Sequence, residues 1–354
     1  MHSSFLRHQS KILDFCTEQT TNCPLEQCAH STLEQVNAFA DSIRLEQRCH
    51  PNKTLIACVG GGDSALRSKV AMLFGGFLIL DEQMSFEQVV ELFGAVDGGP
   101  ALIRPDTSVN DCWRALSHAR TLGWLLARGI HVAPHASDLR KDYALEVEEM
   151  LHYANPMNGN IHMVVPSKII CFPAPADLPD NQLWMDSDAA GDGTVRRFSA
   201  AFFADLFADL GVDVAVCLHT SAYDRGAFLE RGIEVEDLGM DPGSPHMLRA
   251  IDRFLAVAAA APGLVALQSG PDGPGHLGAL VLSYLPSRAG FDAESAVAWV
   301  RMVHPALLAY PASRPGPTAT LHIDEPPARA SSAEPSSPLS PAATSAAPLE
   351  RPPT

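Results

Sequence analysis

The chain has little positive charge and lacks any long apolar run. Lys and Arg number 25 against 41 Asp and Glu, and the formal net charge is -16. A chain this acidic repels the phosphates of nucleic acids, so we expect no nucleic-acid partner. The longest apolar run, residues 70–80, is too short to span a bilayer, and the first residues hold no apolar stretch typical of a secretory signal. We therefore expect no membrane role, and a basic protein or peptide as partner.

The eight cysteines also lack the paired spacing of a disulfide framework. Several of them crowd the N-terminal region together with two histidines, and zinc could use four of this group. The group consists of Cys16, Cys23, Cys28, His30, Cys49 and His50. Because no two follow the C-x-x-C spacing, we expect ordinary reduced thiols, no metal, no cofactor and a cytoplasmic or nuclear location.

Both ends of the chain differ in composition from its middle. Residues 1–30 are polar and lack periodicity, which predicts a disordered arm. Residues 311–354 are rich in Pro, Ala and Ser and hold few large apolar residues, so they cannot bury enough surface to offset the entropy of ordering. We expect a disordered tail there. Ser337 and Ser340 each precede a proline, and the segment is either a proline-directed phosphorylation site or a plain polar tail.

Between these ends, strand-like and helix-like stretches alternate, which predicts an α/β layered fold. Ser85 begins a helix, and Gln88 stands where a capping box needs it. Residues 70–80 form either a helix or a helix followed by a strand. The pattern predicts a buried strand over 54–59 and further strands over 161–172 (a pair), 213–218, 233–237 and 264–268. It predicts further helices over 110–129, 143–153, 198–210, 224–231, 246–260, 276–285 and 292–303.

The most informative segment, residues 263–284, is an apolar strand that enters a glycine-rich loop and then an apolar helix. Backbone amides at such a helix start favour anions. One interpretation is dinucleotide binding, because Gly273, Gly275 and Gly278 match G-x-G-x-x-G. That fold needs a strand after the helix, whereas a second helix is predicted here. The other interpretation is the loop of cysteine-dependent phosphatases, in which a thiolate attacks phosphorus and an arginine grips the phosphoryl oxygens.

Several segments in order support the second interpretation. Segments that resemble one phosphatase family follow each other in the family's order. They are residues 53–93, 143–175, 207–238 and 298–301 with the following His304-Pro305. Over roughly residues 33–308 the chain resembles the mitotic-exit dual-specificity phosphatases of the cell-division-cycle fourteen type. Within residues 143–175 the hallmark is Val164-Val165-Pro166-Ser167-Lys168 followed by Cys171-Phe172.

The resemblance implies two tandem dual-specificity-phosphatase-like domains, each with a mainly parallel central sheet flanked by helices. The implied divisions are a non-catalytic first domain over 31–142, a linker helix over 143–155 and a phosphatase domain over 156–310. The family's phosphatase activity would then reside in the second domain.

The catalytic loop departs from the family pattern. The family's His-Cys pair falls at Gln268 and Ser269, and its arginine falls at His276, with one extra residue in between. No cysteine anywhere in the chain has an arginine six positions later. The family's general-acid loop falls at Asp241, which is displaced by one position and also fits a simple Asp-Pro-Gly turn.

These departures predict a pseudophosphatase that binds a protein or peptide. A serine hydroxyl needs an adjacent base to attack phosphorus, and a histidine cannot replace a bidentate guanidinium. Four glycines would remain around the anion loop, namely Gly270, Gly273, Gly275 and Gly278. Two alternatives stay open: a residual phosphatase that uses Ser269 with Asp241, and a nucleotide-binding protein that uses the glycine pattern.

Three glutamates on the expected linker helix are candidates for a peptide groove. In the resembling family, an acidic groove between the domains selects proline-directed phosphosites with nearby basic residues. Glu146, Glu148 and Glu149 would preserve such a surface for a basic or Ser-Pro-containing peptide. A solvated charged helix face explains the same residues equally well. The sequence does not indicate an oligomeric state.

Overall fold

The computed structural model describes residues 10–14, 32–59, 64–94, 102–104, 107–125, 147–189, 193–218, 225–239, 247–270 and 274–309. Asp241, Gly273 and Glu146 lie outside these ranges, as do residues 311–354 and most of residues 1–30. The predictions made for them stay predictions.

The described elements of the first half are mainly helical. They are β1 (Ser10–Asp14), α1 (Leu33–Cys49), β2 (Thr54–Cys58), α2 (Ser64–Leu80), α3 (Phe86–Gly94), β3 (Leu102–Arg104), β4 (Thr107–Ser108) and α4 (Val109–Thr121).

The second half alternates strands and helices. Its elements are α5 (Val147–Ala154), β5 (His162–Val165), β6 (Ile169–Phe172), β7 (Trp184–Ala189), β8 (Gly193–Phe198), α6 (Ala200–Leu210), β9 (Val212–Cys217), α7 (Gly226–Glu230), β10 (Glu234–Asp237), α8 (Met247–Ala260), β11 (Leu264–Gln268), α9 (Gly275–Ala289) and α10 (Ala293–Val303). Three short 3₁₀ turns cover Pro156–Asn158, Pro179–Asn181 and Pro305–Leu308.

A five-stranded sheet in the order β10-β9-β11-β6-β5 forms the centre of the second half. All neighbouring pairs are parallel except β5 with β6. Every residue of β11 is buried, and alternate side chains enter two hydrophobic clusters on opposite faces of the sheet. Phe203 and Phe207 of α6 cover one face, and Trp299 of α10 belongs to the cluster on the other. The chain is therefore a mixed α/β protein, as predicted.

Helices α1, α2 and α4 build the core of the first half around Trp113, which is 1% exposed. The Trp113 indole N–H donates to the carbonyl oxygen of Met72 at 3.1 Å. Strand β1 corrects the prediction of a disordered arm over residues 1–30, because it pairs in parallel with β2 from Ser10 to Asp14. The polar flanks of this five-residue strand left no periodic signal in the sequence.

Strand β2 was predicted to be buried, and this was wrong. Its side chains are half-buried or exposed, because β1 is its one partner strand among the described residues. The described part of the first half thus contains a parallel pair of strands and a short β3–β4 hairpin rather than a broad central sheet.

Helix ends follow local chemistry. The Ser85 and Gln88 backbone N–H groups each donate to the other residue's side-chain oxygen, at 2.8 and 3.3 Å, so the predicted capping box is confirmed. The helix predicted over 110–129 is shorter than expected and ends at Thr121. The reason is local: two residues on, Gly123 takes a φ of 73°, a conformation that stops a helix.

The two halves pack through α4 and α10. Trp124 stacks on Phe291 with ring centroids 5.5 Å apart, and the buried Arg301 side chain hydrogen-bonds the Thr107 hydroxyl. His118 bonds the Ala289 carbonyl oxygen at 2.7 Å. The described residues of both halves belong to one compact unit, and the expected division into two domains stays a prediction. In the part of the chain that is described, no helix has the length and apolarity to cross a membrane.

A half-buried and a buried histidine ring stack beside the central sheet, with the His162 and His304 centroids 3.7 Å apart. Burial lowers the pKa of His162 to about 4. Burial, and secondarily the neighbouring His162 charge, lowers the pKa of His304 to about 3. Unfolded histidines titrate near pH 6.5. The unfolded chain therefore binds protons that the folded chain excludes, so stability is complete above pH 6.5 and falls as the pH drops toward 4.

We expect His304→Phe to reduce this loss of stability in acid. Each excluded proton contributes a slope of up to about 1.4 kcal/mol per pH unit to the free energy of unfolding, and the variant removes one of them. Urea unfolding at pH 7.5, 6 and 5 measures the slope. His152→Phe, at an exposed histidine, is the control and should keep the wild-type slope. An unchanged slope in His304→Phe would contradict the assignment.

Candidate functional site

Four parallel strands of the central sheet end at one edge. Their last residues are Asp237, Cys217, Gln268 and Phe172, and β11 lies in the middle of the row. Ser269 directly follows β11, and its backbone N–H donates to the Phe172 carbonyl oxygen at 2.8 Å. Ligands of α/β proteins bind at this edge of the sheet. The structure thus places Ser269 at the centre of the edge where such a site is expected.

Gln268 stands at the position where the resembling family has a histidine. Its side chain is 5% exposed, and its Oε1 accepts a hydrogen bond from the Cys217 thiol at 3.2 Å. A buried amide needs such a partner, since an unpaired one is costly. Cys217, the last residue of β9, is fully buried. The pair therefore anchors the end of β11.

In the described part of the chain, no base is hydrogen-bonded to the Ser269 hydroxyl. The residue is half-buried, and no described group forms a hydrogen bond with its Oγ. A serine attacks phosphorus only when a neighbouring base takes its proton. Among the described residues, none therefore forms the hydrogen bond that would activate this serine.

The buried cysteines Cys171 and Cys112 do not supply a thiolate either. Cys171 lies on β6, next to β11, and burial raises the pKa of its thiol. In the first half, burial raises the pKa of Cys112 to about 12. Thiols buried in apolar surroundings stay protonated and inert. The sequence shows that the loop lacks a cysteine, but it does not show that the Cys171 thiol is too deeply buried to replace it.

His276 lies in the first turn of α9 and is half-buried. Pro274 forms the N-cap, and it has neither a side-chain cap nor a backbone N–H to offer. An imidazole lacks the planar fork with which arginine holds two phosphoryl oxygens. At this helix start, His276 is therefore a poor substitute for an arginine that would hold an anion.

Gly278, which is predicted to belong to the anion loop, has a closely packed position in the structure. A Cβ at Gly278 would lie 2.1 Å from the carbonyl oxygen of Leu307. Here α9 passes directly over the turn Pro305–Leu308, so only glycine fits. Gly270 and Gly275 stand at the two described ends of the loop. The element after α9 is α10 rather than a strand, which argues against a dinucleotide site.

Lys168, part of the sequence hallmark, supports the frame of the site. Its Nζ donates to the carbonyl oxygens of Ala261 and Gly263, at 2.6 and 3.1 Å, between the end of α8 and the start of β11. Burial lowers its pKa. A lysine at a helix C-terminus satisfies carbonyls that have no partner within the helix. The sequence indicates this residue but not its contacts with the two carbonyl oxygens.

At the same edge, the Asp237 carboxylate already has hydrogen-bond partners. Its side chain accepts hydrogen bonds from the Arg225 guanidinium at 3.1 Å and from the Gly239 backbone N–H at 2.9 Å. No described group of three His, Cys, Asp or Glu residues is arranged to hold a metal ion. Glu148 and Glu149 lie on α5, as expected for the linker helix, and the peptide groove that they would form stays a prediction.

We expect Gly278→Ala to destabilise the protein by about 1–3 kcal/mol, because the added methyl group overlaps a backbone oxygen that no rotamer can move. Gly94→Ala is the matched control, since a Cβ there meets nothing within 4 Å. Thermal unfolding of both variants measures the difference. Equal melting temperatures would mean that α9 does not pass as closely over Leu307.

Comparisons with known proteins agree with the resemblance seen in the sequence. No protein-family model matches the chain. The chain is 24% identical over 201 residues to the dual specificity protein phosphatase CDC14C of Homo sapiens, covering 57% of this chain and 39% of that protein. It is 26% identical over 247 residues to CDC14AB of Danio rerio, covering 69% of this chain and 37% of that protein.

The chain thus aligns with less than half the length of these relatives. A solved structure described as a putative protein tyrosine phosphatase from Leishmania major superposes with a TM-score of 0.30 at 18% identity, over 41% of this chain and 83% of that one. In sequence, the chain is therefore similar, at 24–26% identity, to dual-specificity protein phosphatases of the CDC14 type.

Proposed function

We propose that the chain is a pseudophosphatase, which keeps the phosphatase-type α/β frame and binds a protein or peptide without hydrolysing phosphate esters. The observation that carries the proposal is Ser269, which stands at the end of β11 where the family's cysteine falls, with no described base on its hydroxyl. His276 replaces the arginine in the same loop.

The size of the losses supports an inactive loop. Removing a single positioned donor to a developing anion typically lowers a rate about a hundred- to a thousand-fold. Here the nucleophile and the guanidinium clamp are both replaced. Pro271 and Pro274 also remove two backbone donors, and Asp272 adds negative charge where a phosphate would bind. These changes all act against the binding of a phosphate dianion.

The retained frame supports a binding role. The central sheet is packed on both faces, and Lys168 and Gln268 still satisfy the groups around β11. A net charge of -16 favours a basic partner, and Glu148 and Glu149 are the candidates for its contact surface. None of the five cysteines that the structure describes forms a disulfide, which fits a cytoplasmic or nuclear protein.

Phosphatase turnover is the direct test of the inactive loop. We expect the purified chain to hydrolyse neither a small aryl phosphate nor a phospho-Ser-Pro peptide faster than its Ser269→Ala variant. Release of inorganic phosphate at matched protein concentrations measures both. Turnover that Ser269→Ala abolishes would establish the alternative, a serine-dependent phosphatase, and overturn the proposal.

Peptide binding tests the other part of the proposal. We expect an Arg-containing Ser-Pro peptide to bind, and the double variant Glu148→Gln/Glu149→Gln to weaken binding by about three- to tenfold, with less effect at high salt because exposed charges are screened. Calorimetry measures the affinity. The double variant Glu82→Gln/Glu91→Gln removes two exposed charges elsewhere and is the control. Equal losses of affinity in both variants would mean that net charge alone causes the effect, and would contradict a groove on α5.

A further inference from the structure

A pocket of about 340 Å³ lies in the first half of the chain, away from the edge that carries Ser269. The C-terminal part of α1, the turn that follows it, β2 and the C-terminal part of α2 line it. Pockets for small molecules typically begin at about 300 Å³ and are mostly apolar, with a few polar groups that orient the ligand. This pocket is at the small end of that range.

The interior of the pocket is apolar. Ile43 and Phe77 are 4% and 5% exposed, and Leu55, Phe74 and Leu78 are half-buried around them. Phe74 packs edge-to-face against Phe39, with ring centroids 4.7 Å apart, which holds one wall in place. A ligand here would contact carbon atoms on several sides.

The mouth of the pocket is polar and carries positive charge. Gln47 and Lys53 are exposed, and His50 is half-buried beside them. Among the described residues, no carboxylate lies within ion-pairing distance of Lys53. The nearby Glu46 carboxylate is already 3.6 Å from both Lys11 Nζ and His50 Nε2. Lys53 is therefore a cation at the rim of an apolar pocket, in a chain of net charge -16.

We propose that this pocket binds a small amphiphile with an apolar body and a single carboxylate. The apolar body fills the space between Leu55 and Phe77, and the carboxylate lies at the mouth beside Lys53 and His50. Opposite charges across such a mouth orient a ligand and select its head group.

The volume and lining favour a free small molecule over a segment of a partner protein. A peptide backbone inside the pocket would present N–H and C=O groups to walls made of Ile43, Leu55 and Phe77, which offer no hydrogen bonds. An alkyl chain has no such groups and loses nothing there. The proposal is also independent of the degenerate loop, because none of the lining residues belongs to the second half.

Calorimetry on the full chain, with octanoate, octanol and octylammonium as probes, tests the ligand class. We expect octanoate to bind several-fold more tightly than octanol, and octylammonium to bind weakest. Equal affinities for octanoate and octylammonium would overturn the proposal, as would no binding of octanoate at millimolar concentration.

Two pairs of variants test the location. Lys53→Glu changes an exposed side chain, so it should fold, and we expect it to weaken octanoate at least fivefold while octanol is unaffected. Arg48→Glu makes the same charge change on an exposed residue that does not line the pocket and should keep the preference for octanoate.

Leu55→Trp fills the pocket and should weaken octanoate and octanol together. Leu45→Trp, at a leucine that is 55% exposed, is its control. If Leu55→Trp does not fold, the Lys53→Glu result decides alone. Octanoate binding that neither variant changes would place the ligand elsewhere and overturn the proposal.

Discussion

The central position of β11 is the constraint on which the rest of the second half depends. Parallel strands flank it on both sides, and helices cover both faces of the sheet, so each of its side chains is buried. Its sequence is accordingly apolar up to Gln268, the last residue. That one polar side chain is tolerated because the Cys217 thiol satisfies it. The position of Ser269 and the start of α9 follow from where this strand ends.

Helix α10 then joins the central sheet to the first half. The Trp299 indole N–H donates to the Val164 carbonyl oxygen on β5 at 2.8 Å, and the Arg301 side chain reaches Thr107 on the other side. A buried guanidinium without a partner would be costly, so this contact favours the packed arrangement of the halves. His118 also bonds the last residue of α9, which ties the helix after the loop to the first half. The frame around the loop therefore draws on both halves.

The sequence predicted the strands and helices whose patterns are set by burial along a short stretch. Strands β5, β6, β9, β10 and β11 and the helices between them lie within a few residues of their predicted bounds. The β7–β8 hairpin was not predicted, because its side chains do not alternate between a core and solvent. Trp184 and Val195 are both 48% exposed, and Arg196 stabilises the hairpin by stacking on Trp184 and pairing with Asp186. Those contacts join strands rather than neighbours in sequence.

The candidate site likewise has features that the sequence predicts and contacts that it does not. Ser269 and His276 could be placed by the order of motifs, whereas the contact of Cys217 with Gln268 and the packing of Gly278 on Leu307 join residues far apart in the chain. The fold itself depends on three such residues. A side chain at Gly278 would strain the close contact with Leu307, and the loss of Lys168 or Trp299 would remove hydrogen bonds to backbone carbonyl oxygens. A catalytic cysteine and arginine would add little to folding, since their interactions are made with a substrate. The residues that stabilise the fold around such a loop are therefore different from those that carry out catalysis. A chain can keep the folded frame after it has lost the catalytic residues.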